Sequence, residues 1–133
     1  MSRRGTLCLI FMALNITPQA SPLASKVVED TDVDSTVKTN ITGAPGSIYQ
    51  IDVDNTANIA DDVYIKIYND GSPVVGQSDP DLIILVKNSI RRSLVIPEGM
   101  EFDTAISYCC VVEPGTEGST DPTEDVILRL VTS

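Results

Sequence analysis

The sequence predicts an all-β protein, an antiparallel β-sandwich of the jelly-roll or immunoglobulin-like kind, preceded by an extended N-terminal arm. Three observations carry this expectation. From residue 47 onward, short apolar runs alternate with turn clusters at the spacing of sandwiches and barrels. Hydrophobic residues make up 42% of the chain, with four Tyr, two Phe and no Trp, so the core must be built of Val, Ile and Leu, which suit a pleated surface. No ten-residue window carries a helical stripe. The 133 residues suffice for one core and leave no room for a second. They divide into an upstream extension or signal-like segment (1–11), the arm (12–42) and the sandwich (43–133).

Each strand follows from its pattern. Tyr49, Ile51 and Val53 alternate with Gln50, Asp52 and Asp54, which puts one face in the core and one in water. Val63, Ile65 and Ile67 form the next inward set, opposite Tyr64, Lys66 and Tyr68, and Asn69-Asp70-Gly71-Ser72-Pro73 ends that strand with turn chemistry. Residues 82–86 are continuously apolar, so this strand should be buried on both faces or covered by a partner subunit. Residues 91–96 continue as a strand with Leu94 and Ile96 on one side, closed by Pro97-Glu98-Gly99. Residues 105–112 are apolar or small on both faces and read as the central strand, while Val126, Leu128 and Leu130 mark a final strand that pairs deep in a sheet. Two further short strands are expected near residues 38–41 and 100–102.

The opening segment allows more than one reading. Arg3 and Arg4 followed by the apolar residues 7–14 have the look of a secretory signal, too short to span a bilayer. Small residues at both −3 and −1 are missing, however, because Pro18 precedes Ala20 and Pro22 precedes Ala24 at those positions. Met12 opens an ordinary soluble start, so residues 1–11 also fit an extension upstream of the folded product. Residues 17–42, rich in Pro, Ser, Thr and Asp, read as an arm leading into the compact body.

Chemistry is sparse. A formal charge of −10 repels phosphate backbones and argues against nucleic acid as a partner. With no histidine, the chain lacks the commonest general base and transition-metal ligand, and no catalytic residue or cofactor is expected. Asp30-Thr31-Asp32-Val33-Asp34 begins like an EF-hand loop, but Ser35 stands where Gly is needed and Ile41 where Glu is needed. Asp52 with Asp54, Asp61 with Asp62, and Asp79 with Asp81 read as solvated carboxylates before they read as calcium ligands. Cys8, Cys109 and Cys110 do not suggest a disulfide scaffold; the adjacent pair reads as two small buried apolar side chains. Arg91-Arg92 is either a contact for an acidic neighbour or an edge charge that discourages sheet-to-sheet pairing. Asn15-Ile16-Thr17 and Asn40-Ile41-Thr42 match the glycosylation triplet, which matters only in a eukaryotic secretory pathway.

The run from Ile41 through Gly43-Ala44-Pro45-Gly46 to Tyr49, then Val53-Asp54-Asn55-Thr56, then Val63 to Tyr68, resembles a group of small virion structural proteins of tailed bacteriophages. The likeness continues through Pro73 to Gly76, Asp79-Pro80-Asp81, Pro97-Glu98-Gly99-Met100 and the Gly/Thr-rich loop from Gly115 to Pro122, and covers residues 12–133. The resemblance implies a capsid decoration or cement protein on the surface of the virion, assembled in the host cytoplasm. It would bind the major capsid protein or other virion subunits as a homo-oligomer, taken as a trimer, with no nucleic-acid or membrane partner. A tail, fibre or adhesin module binding a host receptor through residues 69–76 and 114–122 is the alternative role. On this reading the interface residues are Ile16, Pro18, Leu23, Val27 and Val28 of the arm, Ile83 and Leu85 of the apolar strand, and Arg91 and Arg92.

Overall fold

The structure is a computed structural model that describes residues 13–18 and 24–133. The segment 1–11, with its signal-like pattern and Cys8, lies outside the described residues, as do Leu23 and the side chain of Pro18. Among the described residues there are eight strands: β1 (Leu14–Pro18), β2 (Lys26–Asp30), β3 (Gly46–Asp54), β4 (Val63–Tyr68), β5 (Leu82–Val86), β6 (Arg91–Phe102), β7 (Ser107–Val111) and β8 (Ile127–Thr132). They form two sheets, one of five strands in the order β1-β2-β8-β3-β6 and one of three in the order β5-β4-β7. All the pairings are antiparallel. No helix occurs among the described residues. One core takes Val28, Ile48, Ile51, Val53, Leu128 and Leu130 from the larger sheet and Val63, Ile65, Ile67, Ile84 and Val86 from the smaller, which makes the architecture a sandwich.

The segment expected to extend as an arm instead belongs largely to the body. β1 and β2 form a hairpin, and β2 pairs with β8 along its whole length. Val28, Val33 and Ile41 are core residues: Val28 because a strand docked beside β8 turns every second side chain inward, Val33 and Ile41 because their backbone N–H groups bond to the carbonyls of Val126 and Ile106. After β2 the chain runs along the free side of β7: Cys110 N donates to the Asp34 carbonyl, and Lys38 and Tyr108 exchange backbone hydrogen bonds. The expected strand at 38–41 is thus a single bridge between Lys38 and Tyr108. β7, expected at the centre of a sheet, is buried at every residue although β4 holds the centre. Segment 34–41 supplies the cover.

Two other expectations shift for a common reason. The register between β3 and β6 slips between Ile48 and Gln50, so Ile48 joins Ile51 and Val53 in the core and Tyr49 is left half-buried outside it. Opposite the slip, Pro97-Glu98-Gly99 bulges without ending the strand, and β6 continues to Phe102 through the residues expected as a separate short strand. Gly99 adopts φ of 81°, and a Cβ there would fall 2.8 Å from the Tyr49 ring, so both conformation and space demand glycine.

Buried polar groups lock the layers together. Asp30, fully buried on β2, accepts from the Tyr108 hydroxyl of β7 at 2.9 Å and faces Lys38 Nζ at 3.4 Å. At one end of the sandwich Asn55 Nδ2 shares its two N–H groups among the carbonyls of Asp61 (3.0 Å), Lys87 (3.1 Å) and Val86 (3.3 Å). Its Oδ1 accepts from Asn58 Nδ2 at 2.8 Å, and Asn58 in turn exchanges hydrogen bonds with the backbone of Glu124. This clamp joins the β3–β4, β5–β6 and pre-β8 loops. Asn55→Asp keeps the acceptor and removes the donors, and is expected to lower the unfolding free energy by about 2–4 kcal/mol in urea titrations. A change below about 0.5 kcal/mol would show that the clamp does not hold the loops.

Candidate binding surface

Five strands facing three leave the larger sheet overhanging, and β6 is one of its two edges. The edge of the smaller sheet, β5, is the preceding strand in sequence, and Arg92 Nη1 reaches back from β6 to the Leu85 carbonyl at 2.7 Å. Asn55 N donates to the Ile90 carbonyl in register with the β3–β6 ladder, so residues 91, 93 and 95 turn their backbone groups away from β3. Exposed apolar side chains gather along these two strands and the turn between them: Ile83 (41% exposed), Ile90 (42%), Leu94 (37%) and Val95 (54%). Ile83 and Leu85 lie opposite Lys66 and Tyr64 on the outer face of the smaller sheet, while Ile84 and Val86 fill the core.

The outer face of the larger sheet is a charge lattice. Glu29 stands opposite Arg129, Arg129 opposite Asp52, and Asp52 opposite Ser93. Arg91 grips Asp52 with two hydrogen bonds, Nε to Oδ1 at 3.2 Å and Nη2 to Oδ2 at 2.6 Å, and Ser93 Oγ donates to the same carboxylate at 2.9 Å. The hydrogen bonding from Arg91 holds the Asp52 carboxyl below its ordinary value, against the opposing effect of partial burial. A shallow groove crosses this face, lined by Val27, Gln50, Asp52, Arg129 and Val131.

The residues expected at an interface are therefore dispersed. On the β5–β6 side Arg92 meets the Leu85 carbonyl, but Ile83 and Leu85 lie on the outer face of the smaller sheet and Arg91 on the outer face of the larger. Val27 lines the outer groove, and Ile16 sits on β1, the opposite edge of the larger sheet. Val28 is fully buried in the core and cannot touch a partner. Arg91 and Arg92 are held by Asp52 and the Leu85 carbonyl, which fits an edge-protecting role better than a grip on an acidic neighbour. The sequence reading missed Ile90, Leu94 and Val95 as exposed groups and passed over Ile59, an apolar residue among turn formers.

The acidic clusters are occupied internally. Asp61 accepts from Thr123, Asp62 from Lys87 and Asn88, Asp79 from Thr116, and Asp81 from the Asn69 backbone. Among the described residues no three or more Asp, Glu, Cys or His side chains are grouped to hold a metal ion. Asp32 is pushed above its ordinary value by burial and then by repulsion from Asp125 and Asp34. Cys109 and Cys110 are free and buried, and burial raises both thiols, so each stays protonated at neutral pH. Lys66, fully buried, donates to the carbonyls of Gly115 and Gly118 and so pins the loop after β7 over the outer face of the smaller sheet.

Because the folded Asp52 lies below its ordinary value of 3.8, its pairing with Arg91 stabilises the fold above that pH and is lost as pH falls through the lowered value. Arg91→Met is therefore expected to flatten the loss of stability on acidification below about pH 4, read from urea midpoints at successive pH values. An unchanged slope would show that the pair adds nothing to the edge.

Compared with known protein families, curated proteins and solved structures, the chain matches none.

Proposed function

We propose that this protein is a bacteriophage virion structural protein, a capsid decoration or cement protein that binds the major capsid shell from outside and stabilises it. The observation that carries the reading is the exposure of four large apolar side chains on β5, β6 and the turn between them, Ile83, Ile90, Leu94 and Val95. Apolar groups on adjacent edges of two sheets favour removal from water against another protein. The resemblance of residues 12–133 to small virion proteins supplies the identity of that other protein. On this reading the activity is binding alone, carried out by a homo-oligomer, taken as a trimer, at the capsid surface, and no catalytic step takes part.

The test is quantitative mass spectrometry of purified particles from the source, followed by imaging of their surface. Many copies spread over the shell are the expected result. A few copies at the tail or one vertex would replace decoration with a host-binding role, and absence from particles would end the virion reading.

A further inference from the structure

The loop between β3 and β4 presents a large apolar side chain where water would favour a polar one. Ile59 is 82% exposed, the highest value among the exposed large hydrophobics, while its neighbour Asn58 is 1% exposed. Asn58 is held on four sides. Its Nδ2 donates to Asn55 Oδ1 at 2.8 Å and to the Glu124 carbonyl at 3.1 Å, its Oδ1 accepts from Glu124 N at 2.7 Å, and its own carbonyl accepts from Ser89 N at 2.9 Å. Ile59 thus projects from backbone fixed by the clamp. A β-branched side chain on a fixed loop has little freedom left to lose, which is the condition under which burying it in a partner is most favourable.

The surroundings define the partner. The loops meeting here carry Asp61, Asp62, Glu124 and Asp125 against Lys87, which is already paired with Asp62 at 3.1 Å, while Asp54 at the end of β3 stands opposite Arg91. Asp32 adds to the crowding, since burial and then repulsion from Asp125 and Asp34 hold its carboxyl above the ordinary value. An isoleucine on a loop that itself carries Asp61 and Asp62 and is bonded to Glu124 complements an apolar pocket rimmed by Lys or Arg, and repels nucleic acid and anionic lipid alike. We propose that Ile59 is the anchor of a docking tip at this end of the sandwich, inserting into a basic-rimmed apolar pocket of a shell subunit. The proposal rests on the shell-binding reading above and adds the place and chemistry of the contact. Ile90 belongs to the same tip, because Ser89 N to Asn58 O and Asn55 N to Ile90 O join the two loops.

The test titrates the full chain against purified particle shells lacking it, with co-sedimentation as readout. Ile59→Asp should weaken binding about tenfold or more, as loss of a buried anchor does. Because the side chain is exposed, thermal unfolding should not change. Ile59→Val should bind nearly as well as the unaltered chain. Raising NaCl should weaken binding, and Asp125→Asn should reduce that salt dependence. If the unaltered chain binds and Ile59→Asp binds equally, the anchor is overturned and the shell-binding reading stands. Binding that strengthens with salt would likewise overturn the basic-rimmed pocket, and failure of the unaltered chain to bind would remove the shell and the tip together.

Discussion

The buried amide of Asn55 is the constraint from which the rest of the sandwich takes its alignment. The two sheets differ in width, and apolar packing alone tolerates a sliding of one over the other, since hydrophobic contact has no direction. Asn55 directly follows β3 of the larger sheet, and its donors fall on carbonyls just before β4 and at and just after the end of β5 of the smaller one. A hydrogen bond has both length and angle, and a buried donor left unpaired is costly. The clamp therefore fixes one end of the stack in register. The bond between Asp30 and Tyr108, deeper in the body, does the same between β2 and β7.

Much of this was legible in the sequence. Alternation gave β4 and β8 directly, because neither carries a bulge and each has close neighbours on both sides. It misplaced Tyr49 because period-two reasoning carries its phase across a bulge it cannot see. It read Pro97-Glu98-Gly99 as a turn because bulges and turns use the same residues. Val28 reads from the sequence as part of the arm, since nothing local tells a strand joining a sheet with distant β8 from an extended segment. Lys66 and Asn58 are conventionally surface residues; their burial depends on carbonyls far away in sequence. For the candidate surface, the apolar run of β5 was informative, and the exposure of Leu94 was not, because Leu94 sits on the core side opposite Ile51 and is left open by the unequal width of the sheets, while Val95 lies opposite Gln50 on the outer face.

The β6 edge also shows how an exposed strand is kept from indiscriminate pairing. Arg91 is folded back onto Asp52, the bulge bends the strand, and Pro97 removes a backbone donor. These devices leave side chains accessible while making the backbone a poor template for another strand. A surface so arranged favours contacts through its side chains over extension of the sheet.

The position of β8 has a consequence for biosynthesis. It is the last strand of the chain described, yet it lies between β2 and β3, so the five-stranded sheet has a gap in its middle until residues 127–132 are in place. As the nascent chain emerges from the ribosome, the β1–β2 hairpin has no neighbour to dock on. Folding of the larger sheet must therefore wait until translation has passed β8, and until then β2 and β3 each offer an open side to chaperones or to other nascent chains.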